Sequence, residues 1–413
     1  MLNKAVRLHG QNDLRLDAFE LPELRDDEIL VRIVSDSICM SSYKAAIQGT
    51  AHKRVPEDIA RHPVIVGHEF CGVIEGVGAR WQGRWQPGQR FTIQPNINYR
   101  GTLHTPGYAF EYCGGDTQRA ILIPEIMEQD CLLDYRGEAF FQGSLAEPLS
   151  CVIGAFHAQY HTHRQDYVHE MGIVPGGSMA ILAGAGPMGL AAIDYAIHCD
   201  RRPGLLVVTD INAQRLSRAA AIYTAQEAAK QGVRLVYAGA GECGTDALLA
   251  LNGGAGYDDV FVFAPVPDVI RQGDALLGYD GCLNFFAGPT DHGLSAPFNF
   301  YNVHYAAHHI VGTSGGNTAD MVEALDMIAA GRLNPAGMVT HIGGLDAVAR
   351  ATLDLPNIPG GKKLIYTGIR LPLTAIQDLR AAGEHALADI CDRHNGLWCA
   401  EAERYLLAHA EPI

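Results

Sequence analysis

A chain of 413 residues, 48% hydrophobic and 19% charged, is long enough for two or three domains that each bury a core, and its composition excludes a disordered chain or a coiled coil. A formal net charge of -15 excludes a general basic field for nucleic acid or anionic membrane, so an anionic substrate needs local positive groups. The opening Met1, Leu2, Asn3, Lys4 reaches Arg7, Asp13 and Arg15 without an apolar signal core, and the apolar stretch 181–197 is broken by Gly184, Gly186, Pro187, Gly189 and Asp194. A cytoplasmic protein without a membrane span is expected.

In chain order, residues 1–150 hold short strand-like runs at 29–34, 64–66, 70–77 and 91–94, separated by Gly and Pro, which predict a mostly β unit. From Gly177 the pattern changes to buried apolar runs at 179–183, 205–209, 233–238, 259–263, 282–286 and 309–312, alternating with helical stretches. Six such runs predict a doubly wound parallel sheet, an α/β fold. A helix over 319–330 and strands at 338–342 and 363–369 follow. They are expected to rejoin the first unit, so that the nucleotide-type domain, 166–316, is inserted into a domain made of 1–165 and 317–413. The residues after Leu371 are helical and charged, with Trp398 and Tyr405, and the sequence assigns them no role. Ten cysteines without close pairing fit reduced thiols. Cys71, Cys151, Cys199 and Cys282, with apolar neighbours, are expected to pack as small hydrophobes.

Gly184-Ala185-Gly186-Pro187-Met188-Gly189 stands directly after the apolar run 179–183 and before a helical stretch. That context supplies a tight turn, a bare backbone that can approach pyrophosphate, and a helix N-terminus that favours the anion. Asp210 ends the next strand, where a carboxylate can accept hydrogen bonds from ribose hydroxyls; this favours NAD(H) over NADP(H), although Arg215 and Arg218 lie nearby in sequence.

A second constellation comprises Cys39, His68 within Gly67-His68-Glu69, and Glu147 within Ala146-Glu147-Pro148-Leu149. A thiolate, an imidazole and a carboxylate suit Zn²⁺, and three protein ligands leave an open catalytic position. Glu69 is an alternative or additional ligand.

The run 67–78, Gly-His-Glu-Phe-Cys-Gly-Val-Ile-Glu-Gly-Val-Gly, followed by Pro87-Gly88-Gln89-Arg90-Phe91, resembles the zinc signature of medium-chain dehydrogenases. Ile38-Cys39-Met40-Ser41-Ser42, Glu147-Pro148-Leu149 and the glycine turn follow in that family's order, so the likeness covers about residues 1–370. It implies a GroES-like, mostly β catalytic domain with an inserted Rossmann domain. Further runs, Glu147 to Phe156, Asn284-Phe285-Phe286-Ala287-Gly288-Pro289, Gly312-Thr313-Ser314-Gly315-Gly316-Asn317 and Gly360-Gly361-Lys362-Lys363-Leu364, are similar to the branch of L-sorbose 1-phosphate reductases.

That resemblance implies a small-molecule substrate, a sugar phosphate or polyol, with L-sorbose 1-phosphate and D-glucitol 6-phosphate as the expected pair. It places Phe286, Ala287, Thr313, Ser314 and Lys362 near the nicotinamide and makes Ser41 a proton relay. Lys44 stands where many relatives carry a relay histidine, and with His52, Lys53 and Arg54 it is a candidate for the substrate phosphate. A homodimer or homotetramer is expected. Only Cys113 falls between Phe91 and Ala120 where relatives carry four cysteines, so one zinc per subunit and no structural zinc are expected. Ser42 replaces the usual acidic partner of the ligating histidine. Two other readings stand beside this one: a polyol dehydrogenase for an unphosphorylated sugar alcohol, and a zinc-free quinone reductase or non-catalytic nucleotide-binding protein.

Overall fold

The computed structural model describes residues 1–163, 165–241 and 243–413. It divides into one unit of 1–147, 325–329 and 334–413, and a second of 148–324 and 330–333.

In the first unit, an eight-stranded sheet runs in the order Thr374–Ala375, Val339–Gly344, Lys362–Tyr366, Ile29–Ile38, Cys71–Val77, Arg90–Ile93, Leu132–Asp134, with Arg119–Leu122 also paired to Ile29–Ile38. Strands from near both ends of the chain are thus neighbours, Lys362–Tyr366 pairing antiparallel with Ile29–Ile38 so that Tyr366 faces Ser35 and Lys363 faces Ile38. Inward residues of this sheet, Ile29, Val31, Ile33, Ile74, Phe91 and Ile93, form a core with Phe70, whose ring meets Phe91 edge-on at 6.2 Å. Each such fully buried side chain contributes about 1.5–3 kcal/mol. Cys113 belongs to this core, where burial pushes its thiol up to about 12. A three-stranded sheet, Asp13–Glu20, Leu2–Gly10 and Val64–Ile65, packs a second core around Val6, Leu8 and Val64.

The residues after Leu371 belong to this unit and form the helices His385–Arg393 and Ala400–His409.

The second unit is built on a six-stranded parallel sheet in the order Arg234–Gly239, Leu205–Asp210, Ser178–Leu182, Tyr257–Val262, Leu277–Phe285, His309–Gly312. This is the doubly wound order expected from the alternation of apolar runs and helices, and it reverses between Ser178–Leu182 and Tyr257–Val262, where such sheets bind ligands. Leu277–Phe285 begins earlier than expected because an irregularity, with Asp280 at a positive φ of 61°, interrupts its pairing with Tyr257–Val262. Phe156 stacks on Phe261 at 4.6 Å beneath the sheet. Cys199 and Cys282 are buried here and Cys71 in the first unit, whereas Cys151 is half-buried. No helix among the described residues is long and apolar enough to cross a membrane.

Candidate functional site

Strand Ile29–Ile38 delivers Cys39 to the N-cap of helix Met40–Gln48, which carries Ser41, Ser42 and Lys44. His68 and Glu69 come from the turn entering Cys71–Val77. That turn depends on Gly67, at φ +88°: a Cβ there would fall 2.0 Å from Asp36 Oδ2 and 2.6 Å from the Asp116 nitrogen. Only glycine fits both the backbone and the space.

The Cys39 thiol, a His68 ring nitrogen and a Glu69 carboxylate oxygen all lie within 4.8 Å of one another. Among the described residues they are the metal-capable group of three. Ser41 Oγ donates to Cys39 Sγ at 3.0 Å and lies 3.3 Å from His68 Nε2. The Tyr108 hydroxyl is 3.4 Å from the same nitrogen. Ser42 Oγ sits 3.5 Å from His68 Nδ1, the outer limit of a hydrogen bond, so a hydroxyl stands on the side where the family's acidic partner is absent.

Glu69 is tied down at both oxygens, by the Lys362 ammonium at Oε1 and the Ser37 hydroxyl at Oε2, and its backbone N–H donates to Asp36 Oδ1 at 3.0 Å. Burial opposes its ionisation, but the Lys362 and His68 charges outweigh burial and hold the carboxyl below its ordinary value. Lys362, from the start of Lys362–Tyr366, is 4% exposed and committed to Glu69. This ion pair is a contact the resemblance does not name, and nothing local to residue 362 announces a bond to residue 69.

Glu147, in the first turn of helix Ala146–His157, lies outside the group of three, although the resemblance makes it a ligand. It is buried, and burial together with the neighbouring Glu69 and Cys39 pushes its carboxyl up to about 7, against the pull of His68. Burial also holds His68 below its ordinary value, in the neutral form a metal requires. Cys39, Glu69 and Glu147 thus bring three acid groups together against one ammonium, Lys362, and a divalent cation would balance that set. The donors fit Zn²⁺.

Tyr108, which sequence reasoning missed, organises the basic residues near this centre. Its ring stacks on His52 at 5.8 Å, and the Arg54 guanidinium lies 5.2 Å from its centroid. Burial, then Arg54, Lys53 and Lys44, lower His52 to about 4, so it is neutral at physiological pH. Lys44 is half-buried and its pKa is lowered by burial. Lys53 is exposed. The signal that finds Tyr108 is its neighbourhood, not its sequence: residues 94–118 are mostly irregular.

In the second unit the glycine turn joins Ser178–Leu182 to helix Pro187–His198, with Pro187 and Met188 in the helix's first turn. A Cβ on Gly189 would lie 2.0 Å from the Gly184 carbonyl oxygen, so this glycine lets helix and strand close up. A Cβ on Gly186 would meet nothing within 4 Å, leaving open space beside the helix N-terminus. Asp210, 4% exposed, accepts from the Ala185 N–H at 3.0 Å and the Asn212 N–H at 2.8 Å. It therefore braces the turn, and each oxygen keeps a second lone pair. Arg215 is exposed in the first turn of Ala213–Ile222. Ala287 is buried, Thr313 Oγ1 is 3.5 Å from Asn284 Oδ1, and Phe286 packs on Phe263 at 4.7 Å. Ser314 follows Thr313 beyond the sheet's edge strand.

Residues 25–172 match the alcohol dehydrogenase GroES-like domain. Over 409 residues the chain is 52% identical to L-sorbose 1-phosphate reductase of Klebsiella pneumoniae, covering 99% of this chain and 98% of that protein. It is 49% identical over 410 residues to mannitol-1-phosphate 5-dehydrogenase of Aliivibrio fischeri, covering 98% and 97%. A solved zinc-binding dehydrogenase from Sinorhizobium meliloti 1021 bound to NADP superposes with a TM-score of 0.71 at 19% identity, covering 89% of this chain and all of that one, 100%. The chain belongs to the zinc-dependent medium-chain dehydrogenase family, oxidoreductases that act on CH–OH groups.

Proposed function

We propose that this protein is a zinc- and nicotinamide-dependent polyol-phosphate dehydrogenase that interconverts a ketose phosphate and a polyol phosphate. The observation that carries the reading is the convergence of Cys39, His68 and Glu69, with Glu147 beside them, next to the Arg54–Tyr108–His52 group. The relatives named for sorbose 1-phosphate and mannitol 1-phosphate share nearly the whole chain with it. L-sorbose 1-phosphate and D-glucitol 6-phosphate are the substrate pair this reading names.

Cys39, His68 and a carboxylate from Glu69 or Glu147 would hold the zinc. When bound, zinc supplies Lewis acidity toward the substrate oxygen, and the nicotinamide accepts or returns a hydride. The chain's own residues manage the proton and the phosphate. Ser41 Oγ, within hydrogen-bond reach of Cys39 Sγ and His68 Nε2, relays the proton of the substrate hydroxyl during oxidation, passing its own hydroxyl proton outward as it receives that one, and runs the exchange backwards during reduction. The Tyr108 hydroxyl, 3.4 Å from the same His68 nitrogen, is the next hydroxyl along that path. Arg54 and Lys44 supply the positive charge a phosphate dianion needs in a chain of net charge -15.

We further assign NAD(H) as the cofactor, because the Asp210 carboxylate at the end of Leu205–Asp210 would repel a 2′-phosphate. The test is NADH oxidation by the purified protein with L-sorbose, L-sorbose 1-phosphate and other ketose phosphates. With charge-assisted contacts contributing about 1.5–3 kcal/mol each, kcat/KM for the phosphorylated ketose should exceed that for the free one by about 100-fold or more. Equal efficiency on both sugars would defeat the phosphate assignment.

A further inference from the structure

The helix Ala400–His409 carries a carboxylate that a charged terminal helix would ordinarily leave in water. Glu403 is instead 2% exposed, and every donor around it is a group of the catalytic unit. The Phe140 N–H donates to Oε1 at 2.6 Å and the Phe141 N–H to Oε2 at 2.8 Å. The Tyr366 hydroxyl donates to Oε2 at 2.9 Å, and Trp398 Nε1 in turn donates to the Tyr366 oxygen at 2.7 Å.

The two backbone donors begin the helix Phe140–Ser144, whose own N-cap residue, Ala139, has no side chain able to accept them. Glu403 supplies that cap from 263 residues away. The capped helix is clamped further on, where Ser144 Oγ meets Ser35 Oγ at 2.8 Å and the Gly143 carbonyl accepts from Thr92 Oγ1 at 2.9 Å. It then passes through Leu145 into Ala146–His157, which carries Glu147 in its first turn. The third donor, Tyr366, ends the strand that begins with Lys362, the partner of Glu69. One carboxylate from the C-terminal segment therefore joins the two segments that carry Glu147 and Lys362.

We propose that Glu403 is a positioning residue for the metal centre: it fixes the approach of Glu147 through the Phe140–Ser144 helix and that of Lys362 through Tyr366, and this is the role of the segment after Leu371. Replacing it frees the part-buried N–H of Phe140, the buried N–H of Phe141 and the buried Tyr366 hydroxyl, and the two segments lose their common anchor. The surface bridge one residue along, Arg404 to Glu138 at 2.6 Å, also ties the helix down but touches neither backbone donor.

The inference rests on the zinc reading above. Zinc is therefore first measured in the wild-type protein as purified; a protein without zinc overturns that reading and this one with it. In zinc-loaded protein, Glu403→Gln should release zinc to a chelator about 10-fold faster than wild type, as is typical when a group supporting a ligand is removed. In cobalt-substituted protein the thiolate–metal absorption band should shift, and kcat should fall while KM for the sugar phosphate stays near wild type. Arg404→Ala should lower thermal stability slightly and leave the zinc release rate unchanged. Wild-type zinc release from Glu403→Gln, or equal acceleration in Arg404→Ala, overturns the proposal while the zinc reading stands. If Glu403→Gln does not fold, Tyr366→Phe takes the same measurement, with faster release expected and a wild-type rate counting against the proposal.

Discussion

Lys362 donates its ammonium to Glu69, and both side chains are almost fully withdrawn from water, at 4% and 1% exposure. A buried pair of this kind is costly to break from one side, because the surviving charge is left unpaired. Lys362→Met should therefore destabilise the chelator-treated protein by about 3–5 kcal/mol in urea unfolding. Lys362→Met combined with Glu69→Gln should recover part of that loss. A double variant no more stable than the single one would show that the two charges are not coupled.

Cys39→Ala and His68→Ala should each bring bound zinc from one per chain to near zero and reduce turnover to background. NADH binding should persist, since the glycine turn and Asp210 belong to the other compact unit. Metal analysis and NADH fluorescence titration check the two halves separately. Full zinc occupancy in Cys39→Ala would remove that thiol from the ligand set.

Arg54 lies over Tyr108 and is the most direct candidate for the substrate phosphate. Arg54→Met should raise KM for the phosphorylated ketose by about 10- to 100-fold, the loss of one charge-assisted contact, with little effect on the free ketose. Steady-state kinetics on both sugars provides the comparison. A parallel loss on both would mean that Arg54 supports the site without reading the phosphate.

His157 bonds Asp320 at 2.8 Å and Glu323 at 3.3 Å, and these two hydrogen bonds raise its pKa to about 9. Because the folded value lies above the ordinary value of 6.5, the stabilisation is complete below about pH 6.5 and is lost as pH rises through about 9. The imidazole is half-exposed, so screening reduces its worth to about 1 kcal/mol. His157→Gln should thus melt below wild type at pH 6, with the gap closing by pH 10. A gap independent of pH in that window would mean that packing, not charge, is responsible.

The central parallel strands were legible because strands covered on both faces are continuous apolar runs: Ser178–Leu182 and Leu205–Asp210 are buried at every position. Cys39 and His68 stood out because motif and chemistry coincide within short segments, while the sequence put Glu147 ahead of Glu69 as the third member and the structure gathers Glu69. What could not be read depends on long-range pairing. Lys362 reaches Glu69 across 293 residues, and Glu403 caps a helix that lacks its own capping side chain. No periodicity or spacing encodes such contacts. Tyr108 was missed for a different reason: it lies in irregular backbone, where neither a period of two nor one of 3.6 marks the buried side chains.

The eight-stranded sheet, which closes on strands contributed from near both ends of the chain, has a consequence for biosynthesis. While the protein is still emerging from the ribosome, Cys39, His68 and Glu69 are available long before Lys362, and Glu403 appears later still. The nucleotide-type unit is finished earlier and needs none of them. A complete metal pocket therefore waits for Lys362 and Glu403 to be synthesised, and losing the segment after Leu371 would strike chemistry encoded far upstream of it.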